Sequence, residues 1–338
     1  GVGSHFASTF HKGQATGRLL KRYVETEARE LGTEDFGKFM NEVYRRVSDL
    51  VNSGDRMEKV AGVLAIDELL DVDCEENASK VSRLQNFLRI LLPSTDVAVA
   101  RLAAACMGRL ACVGGTLTAD LVDIQARRGL EWMLAEKGKD ESRRLSGLLV
   151  LTEFAKNAPT IFYTHVKSFL ETVWSPLRDA SLNVRLAAAQ ALRAVLTLIA
   201  DRPQGRVEAL HTLFEEVLTG LVKNKPNSVH GSLLAIGEML TRCPDFMKPR
   251  FGQVCDIVLR NRDNKNICVR MAVVDLIPLL ASFSPVQFCS GNVLSMSMEH
   301  LIHVCKLTST SNAGLVERSP AFIALGALVV AVRKASEP

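Results

Sequence analysis

Apolar residues recur along this chain at the spacing of a helix. Phe36, Phe39, Met40, Val43, Val47, Leu50 and Val51 fall on one helical stripe, as do Leu84, Phe87, Leu88, Leu91 and Leu92, at offsets of 0, 3, 4, 7 and 8. No segment sustains the strict alternation of a half-buried strand, so the pattern predicts helices and no sheet. Seven segments superpose on one another: 63–70, 104–111, 148–155, 189–196, 233–240, 273–280 and 322–329. Each carries an apolar anchor, in order Ile66, Met107, Leu151, Leu192, Ile236, Leu276 and Leu325, at successive spacings of 41, 44, 41, 44, 40 and 49.

A second feature keeps step with the anchors. Six or seven residues before each lies a basic residue or histidine: Lys59, Arg101, Arg144, Arg185, His230, Arg270 and Arg318. In the first three repeats an aspartate, Asp55, Asp96 or Asp140, stands eleven residues before the anchor. An aspartate there is expected to cap the helix by accepting backbone N–H bonds, and the basic residue to pair with an acid of the neighbouring repeat. A period of roughly 40–47 residues built from helix pairs is the signature of HEAT or armadillo arrays, and 94–101 and 178–185 resemble the Asp…Val-Arg turn of HEAT repeats.

First helices of the pairs are expected near 77–92, 118–135, 160–175, 206–222, 245–260 and 286–306. Pro93, Pro159, Pro226, Pro244 and Pro285 punctuate the junctions, and Pro278, inside a second helix, should kink it. Gly62, Gly108, Gly147, Gly237 and Gly326 lower helix propensity in the second helices, which predicts close approach by a partner helix. One pair cannot bury its own apolar faces, so neighbours must stack. The expected architecture is an all-α solenoid of about seven antiparallel pairs: a flanking segment at 1–15, one array over 16–333 without an interior linker, and a truncated end at 334–338. The absence of an initial Met and the break at Ala335–Pro338 suggest a piece of a longer chain.

Composition narrows the function. Of 338 residues, 47% are hydrophobic and 23% charged, enough for a substantial core. Lys and Arg exceed Asp and Glu by 41 − 37 = 4, with signs mixed throughout, so no basic stripe points to nucleic acid or a membrane surface. The longest uncharged stretch, Leu276–Met298, holds Pro278, Pro285, Gln287, Gly291 and Asn292, a poor membrane span. Cys74, Cys106, Cys112, Cys243, Cys255, Cys268, Cys289 and Cys305 form no CxxC pair and read as reduced, mostly buried thiols of a cytoplasmic protein.

Candidate chemistry is thin. Asp35-Phe36-Gly37 matches the metal-binding triplet of protein kinases, but no Gly-rich loop, strand lysine or HRD loop precedes it, so Asp35 reads as a helix N-terminal acid. His300, His303 and Cys305 lie at helical spacing, yet Cys305 points away from the two histidines and no fourth ligand is near. Asp71, Asp73, Glu75 and Glu76 read as solvated caps, and the arginine pairs 45–46, 127–128 and 143–144 as solvated helix edges. No phosphate-binding loop, zinc-protease or nucleophile-elbow motif occurs. No catalytic, cofactor-binding or metal-binding residue is assigned, and no cofactor is expected.

Segments 76–96, 183–198, 228–240 and 319–333, above all HGSLLAIGE and AFIALG, resemble the N-terminal HEAT solenoid of the target-of-rapamycin kinases. The resemblance covers roughly residues 16–333 and implies a very large serine/threonine kinase whose kinase domain lies outside this sequence. For this segment it implies a non-catalytic scaffold in growth signalling. Its implied partners are a Raptor-type subunit, in animals the small GTPase Rheb, and the remaining HEAT and FAT regions of a dimeric complex. The implied location is cytoplasmic, with recruitment to lysosomal or vacuolar membranes through partners. The long polar insertion that some members carry after the fifth repeat is missing. A different HEAT scaffold, of a phosphatase or a nuclear transport receptor, remains the alternative; transport receptors tend to be more acidic than this chain.

Overall fold

Helical stripes become stable helices only when their apolar faces find a partner, and here the partners are neighbouring repeats. A computed structural model describes residues 17–72, 77–135, 140–200, 202, 206–223, 225–307 and 312–336. The fold is all-α, with no strand among the described residues. Cys74, Asp73, Glu75, Glu76 and the flank at 1–15 lie outside those residues. The chain divides into two compact units, Gly1–Phe169 and Leu170–Pro338.

The first unit holds α1 (17–30), α2 (Thr33–Asn52), α3 (Arg56–Leu69), α4 (Asn77–Leu91), α5 (Val97–Gly114), α6 (Ala119–Met133), α7 (Glu141–Asn157) and α8 (Pro159–Phe162). Helices α2–α3, α4–α5 and α6–α7 pack as pairs, and the second members α3, α5 and α7 pack on one another in succession. The stripe of α2 is buried as the spacing predicts, through Met40, Val43, Val47 and Val51, with Tyr44 added. Periodicity does not single out α1, which buries Val24 and sets Tyr23 edge-on to Phe39, ring centres 5.4 Å apart.

Two of the three expected aspartate caps form. Asp55 accepts from the N–H groups of Met57 and Glu58, and Asp96 from those of Ala98 and Val99. Asp140 does not cap α7. Its backbone (φ −121°, ψ 44°) lacks the extended conformation of the other two, and its carboxylate lies 3.8 Å from Arg143 instead.

Helix α9 (Val166–Thr172) spans the division between units. The second unit continues with α10 (Trp174–Leu177), α11 (Leu182–Ala200), α12 (Arg206–Val222), α13 (Pro226–Arg242), α14 (Pro244–Met247), α15 (Phe251–Arg260), α16 (Ile267–Phe283), α17 (Pro285–Cys289), α18 (Val293–Lys306) and α19 (Asn312–Ser336). Here α11, α13, α16 and α19 form the succession of second helices. The first helices expected as continuous over 160–175, 245–260 and 286–306 are each broken into short pieces. Pro249, which has no N–H to donate, sits in the 3-10 turn Lys248–Arg250 between α14 and α15, and Gly291 at φ +70° separates α17 from α18. Pro159, Pro226, Pro244 and Pro285 all occupy the first turn of a helix, where an N–H is dispensable. Helix α16 runs unbroken through Pro278.

Six anchors lie in the core: Ile66, Met107, Leu151, Leu192 and Ile236 are wholly buried and Leu276 nearly so. Leu325 is only half-buried; in α19 the inward positions are Ala321, Ala324, Leu328 and Ala331. Close approach explains most of the singled-out glycines. A Cβ at Gly147 would meet the Gly129 carbonyl oxygen of α6 at 2.6 Å, whereas one at Gly326 would meet nothing within 4 Å, so no close packing is served there. The tightest approach involves a glycine the spacing did not single out: Gly231 of α13 lies directly against the carbonyl of Leu177 in α10. Val97–Met133 and Leu182–Ala200 are long and apolar enough by composition to cross a membrane, but half or more of each is buried against neighbouring helices.

Candidate functional site: the basic ladder and the outward faces

A side chain one turn into a second helix can reach both the turn that starts its own helix and the start of the next second helix. Arg185 on α11 does both. Its Nη1 donates to the carbonyls of Asp179 (2.7 Å) and Ala180 (3.0 Å) and to Asn227 Oδ1 of α13 (3.2 Å). Its Nε donates to Nδ1 of His230, the next rung, at 2.9 Å. A guanidinium cannot accept, so this bond fixes His230 as the tautomer protonated on Nε2. Burial first, and the Arg185 charge second, push the His230 pKa down to about 4.

Arg270 on α16 repeats the arrangement. Its Nη1 donates to the carbonyls of Asn264 (2.8 Å) and Lys265 (3.0 Å), and its Nε to Glu317 on α19 at 2.7 Å. Glu317 is 4% exposed, so a buried carboxylate meets its cation there. The partner of Arg270 on the next second helix is thus an acid, the residue before Arg318.

The remaining rungs behave otherwise. Arg144 is buried on α7. Lys59 is half-buried, Arg101 exposed, and neither makes an ion pair among the described residues. Inter-repeat pairing in the first unit uses other positions: Arg56 Nε lies 2.7 Å from Asp96, and Arg109 lies 2.6 Å from Asp67 and 3.0 Å from Asp71. Asp71 is therefore an inter-helix partner rather than a solvated cap. The second unit adds a two-pronged pair, Arg193 to Glu238 at 2.7 and 2.8 Å, and Arg178 to Glu216 at 2.8 Å. Sequence reasoning missed these pairs. The signal was an acid and an arginine about one repeat length apart: Arg193 and Glu238 are separated by 45 residues, as are Arg185 and His230.

The other candidates do not converge. Asp35 sits exposed in the first turn of α2 and contacts Lys38 at 3.2 Å. His300 and Cys305 point inward while His303 faces solvent, and burial lowers the His300 pKa. No group of three or more His, Cys, Asp or Glu among the described residues is placed to hold a metal ion. Cys106, Cys243, Cys255 and Cys305 are buried and Cys112 is exposed; burial pushes the Cys255 thiol up to about 12. The pair Arg45–Arg46 is a solvated edge shared with Glu42, and these two guanidinium groups hold that carboxyl down at about 2. The pair Arg143–Arg144 is split, with Arg144 inside and Arg143 out. Outward-facing apolar side chains gather on α19, where Val316, Phe322, Ile323, Val329 and Val330 are all more than half exposed.

Helix pairs whose second helices pack in succession define a HEAT-type helical-repeat fold. Solved structures agree. Kap95p with RanGDP matches at a TM-score of 0.65 and 12% identity, over 94% of this chain and 40% of that one. Kap121p bound to Pho4p matches at 0.55 and 14%, over 96% of this chain and 33% of that one. At such identities the likeness is one of fold alone. No family model matches the chain. In sequence, it is 36% identical over 316 residues, 93% of its length, to the serine/threonine-protein kinase TOR of Arabidopsis thaliana. It is 33% identical over 328 residues, 94% of its length, to the kinase TOR2 of Saccharomyces cerevisiae. The chain is thus related along nearly its whole length to the N-terminal part of the TOR kinases, and it spans 12% and 13% of those two relatives.

Proposed function

We propose that this chain is a non-catalytic protein-binding scaffold, serving in a TOR-type kinase as the helical arm on which regulatory subunits dock. The relation to TOR kinases over more than nine-tenths of the chain carries this reading. The fold supports it: successive helix pairs present extended surfaces on which other proteins can dock. The apolar stripe of α19 is the proposed seat for a further helix pair of the same kind, supplied by the remaining HEAT and FAT regions of such a kinase. Other faces take the substrate-recruiting Raptor-type subunit and, in animals, Rheb, within a dimeric complex at the cytoplasmic side of lysosomal or vacuolar membranes. A nuclear-transport function is the weaker reading, because the karyopherin likeness stays at 12–14% identity.

Mixing the purified chain with a Raptor-type subunit and measuring mass by light scattering tests the proposal, with a complex expected. If the chain stays alone while a full TOR kinase binds the same subunit, the docking reading fails. Calorimetry with ATP should give no heat of binding, and saturable micromolar binding would overturn the non-catalytic reading.

A further inference from the structure

Three arginines of the first unit stand on three helices that pack together, and the charges of two of them act on the third. Two backbone approaches bring their helices together. Ser146 Oγ of α7 donates to the carbonyl of Leu92, which follows the end of α4. Gly147 of α7 crosses α6 so closely that a Cβ there would lie 2.6 Å from the Gly129 carbonyl oxygen and 3.1 Å from Trp132 Cβ. Arg89 and Arg143 each stand three residues before one end of the first contact. Side chains three or four apart share a helix face. Arg128 stands beside Gly129, and its guanidinium rests on the Trp132 ring, 4.6 Å from the centroid.

Little compensates this charge. Among the described residues, the carboxylate within ion-pair distance of the trio is Asp140, 3.8 Å from Arg143 and too far for a hydrogen bond. Arg89 has only the side-chain amide of Asn86, at 3.5 Å. Glu131 acts on Arg128 from its own helix, outweighed by partial burial and by the charges of Arg89 and Arg143, which together lower the Arg128 pKa. The neighbouring Arg127 is different, being paired with Asp123 at 2.6 Å. Three like charges with so little carboxylate between them repel one another, and an arriving anion relieves that repulsion.

We infer that Arg89, Arg128 and Arg143 form a binding site for a phosphorylated serine or threonine on a protein partner. A phosphate monoester near pH 7 carries close to two negative charges and three acceptor oxygens, which matches three guanidinium forks and exceeds what one carboxylate offers. The surroundings favour a protein over a lipid headgroup. Acids stand among these arginines, Asp123 and Glu131 on α6 and Asp140 beside Arg143, which suits an anionic lipid surface poorly. Ile90, Ile124 and Leu134, each more than half exposed in the same unit, offer apolar contacts for residues beside the phosphate.

The test uses the whole chain and fluorescence anisotropy with a degenerate peptide pool centred on phosphoserine. Comparison probes are the same pool unphosphorylated, a pool with aspartate at the centre, and phosphatidylcholine vesicles containing phosphatidylinositol monophosphate. The phosphorylated pool should bind at least roughly tenfold tighter than either other pool, and Arg128→Gln with Arg143→Gln should remove most of that preference. The double variant should melt no lower than the parent, since it relieves repulsion. Should it melt lower, the exposed Arg89→Gln alone supplies the readout and should still weaken phosphopeptide binding severalfold. Equal binding of all three pools, a phosphate preference untouched by these substitutions, or binding confined to the vesicles would each overturn the assignment.

Discussion

The basic ladder is one feature in sequence and two in structure. In the second unit Arg185 and Arg270 fasten the turn before their own helix and reach the next second helix through His230 and Glu317. In the first unit Arg144 is buried at the same place in the repeat, half-buried Lys59 and exposed Arg101 make no ion pair among the described residues, and Arg56 and Arg109 bridge the repeats. The difference comes from the partner. Where the next helix offers an acceptor at or beside its own rung, as for Arg185 and Arg270, the cation reaches across to it. Where it does not, as at Arg101, burying the cation would cost more than it returns, and the side chain stays in water. A ladder position therefore predicts a helix register, and its neighbour decides whether it carries energy.

The largest expected effect tests the stacking beneath this comparison. Leu192 is wholly buried on α11, and Leu192→Ala should cost about 2–5 kcal/mol. In a repeat array that loss falls on one pair and its neighbours. Hydrogen exchange should rise through α11 and α13 while α2 and α3 keep their protection; uniform loss along the chain would mean a single cooperative globule.

Removing a working rung comes next. Arg270→Met leaves the Glu317 carboxylate buried without its cation, and Arg185→Met strands the carbonyls of Asp179 and Ala180. Each should cost about 3 kcal/mol in urea unfolding. A cost under about 0.5 kcal/mol for either would show that the buried contacts are not what holds successive helices together.

Acid should act on the second unit through His230. Folding lowers its pKa to about 4 from an ordinary 6.5, so the unfolded chain binds the proton first. Its contribution is complete above pH 6.5 and is lost as pH falls from there toward 4, by up to roughly 3 kcal/mol. His230→Gln, whose amide oxygen can still accept from Arg185, should flatten the urea midpoint between pH 7 and 5 relative to the parent. An equally steep fall in the variant would assign the acid sensitivity elsewhere.

The smallest effect closes the comparison: Arg101→Met and Lys59→Met should each change stability by less than about 0.5 kcal/mol. A loss near that of Arg185→Met would erase the distinction between the two units.

Helical class, the seven second helices and six buried anchors were legible in the sequence, because periodicity and local capping act within a few residues and Asp55 and Asp96 need only their own helix. The relation to the TOR kinases was legible as well, in stretches such as HGSLLAIGE. Asp140 already marks the limit: its identity suits a cap, but its backbone is not extended and its carboxylate lies toward Arg143. The broken first helices, the packing of Gly231 on the Leu177 carbonyl, and the identity of Glu317 as the acid that meets Arg270 were settled only when helices met. So was the close packing of the three helices that carry Arg89, Arg128 and Arg143, which as sequence are ordinary basic residues. Local pattern determines where a helix runs and which face is apolar. Which polar groups meet depends on helix-to-helix register, and interactions between residues forty positions apart fix that register only in the folded chain.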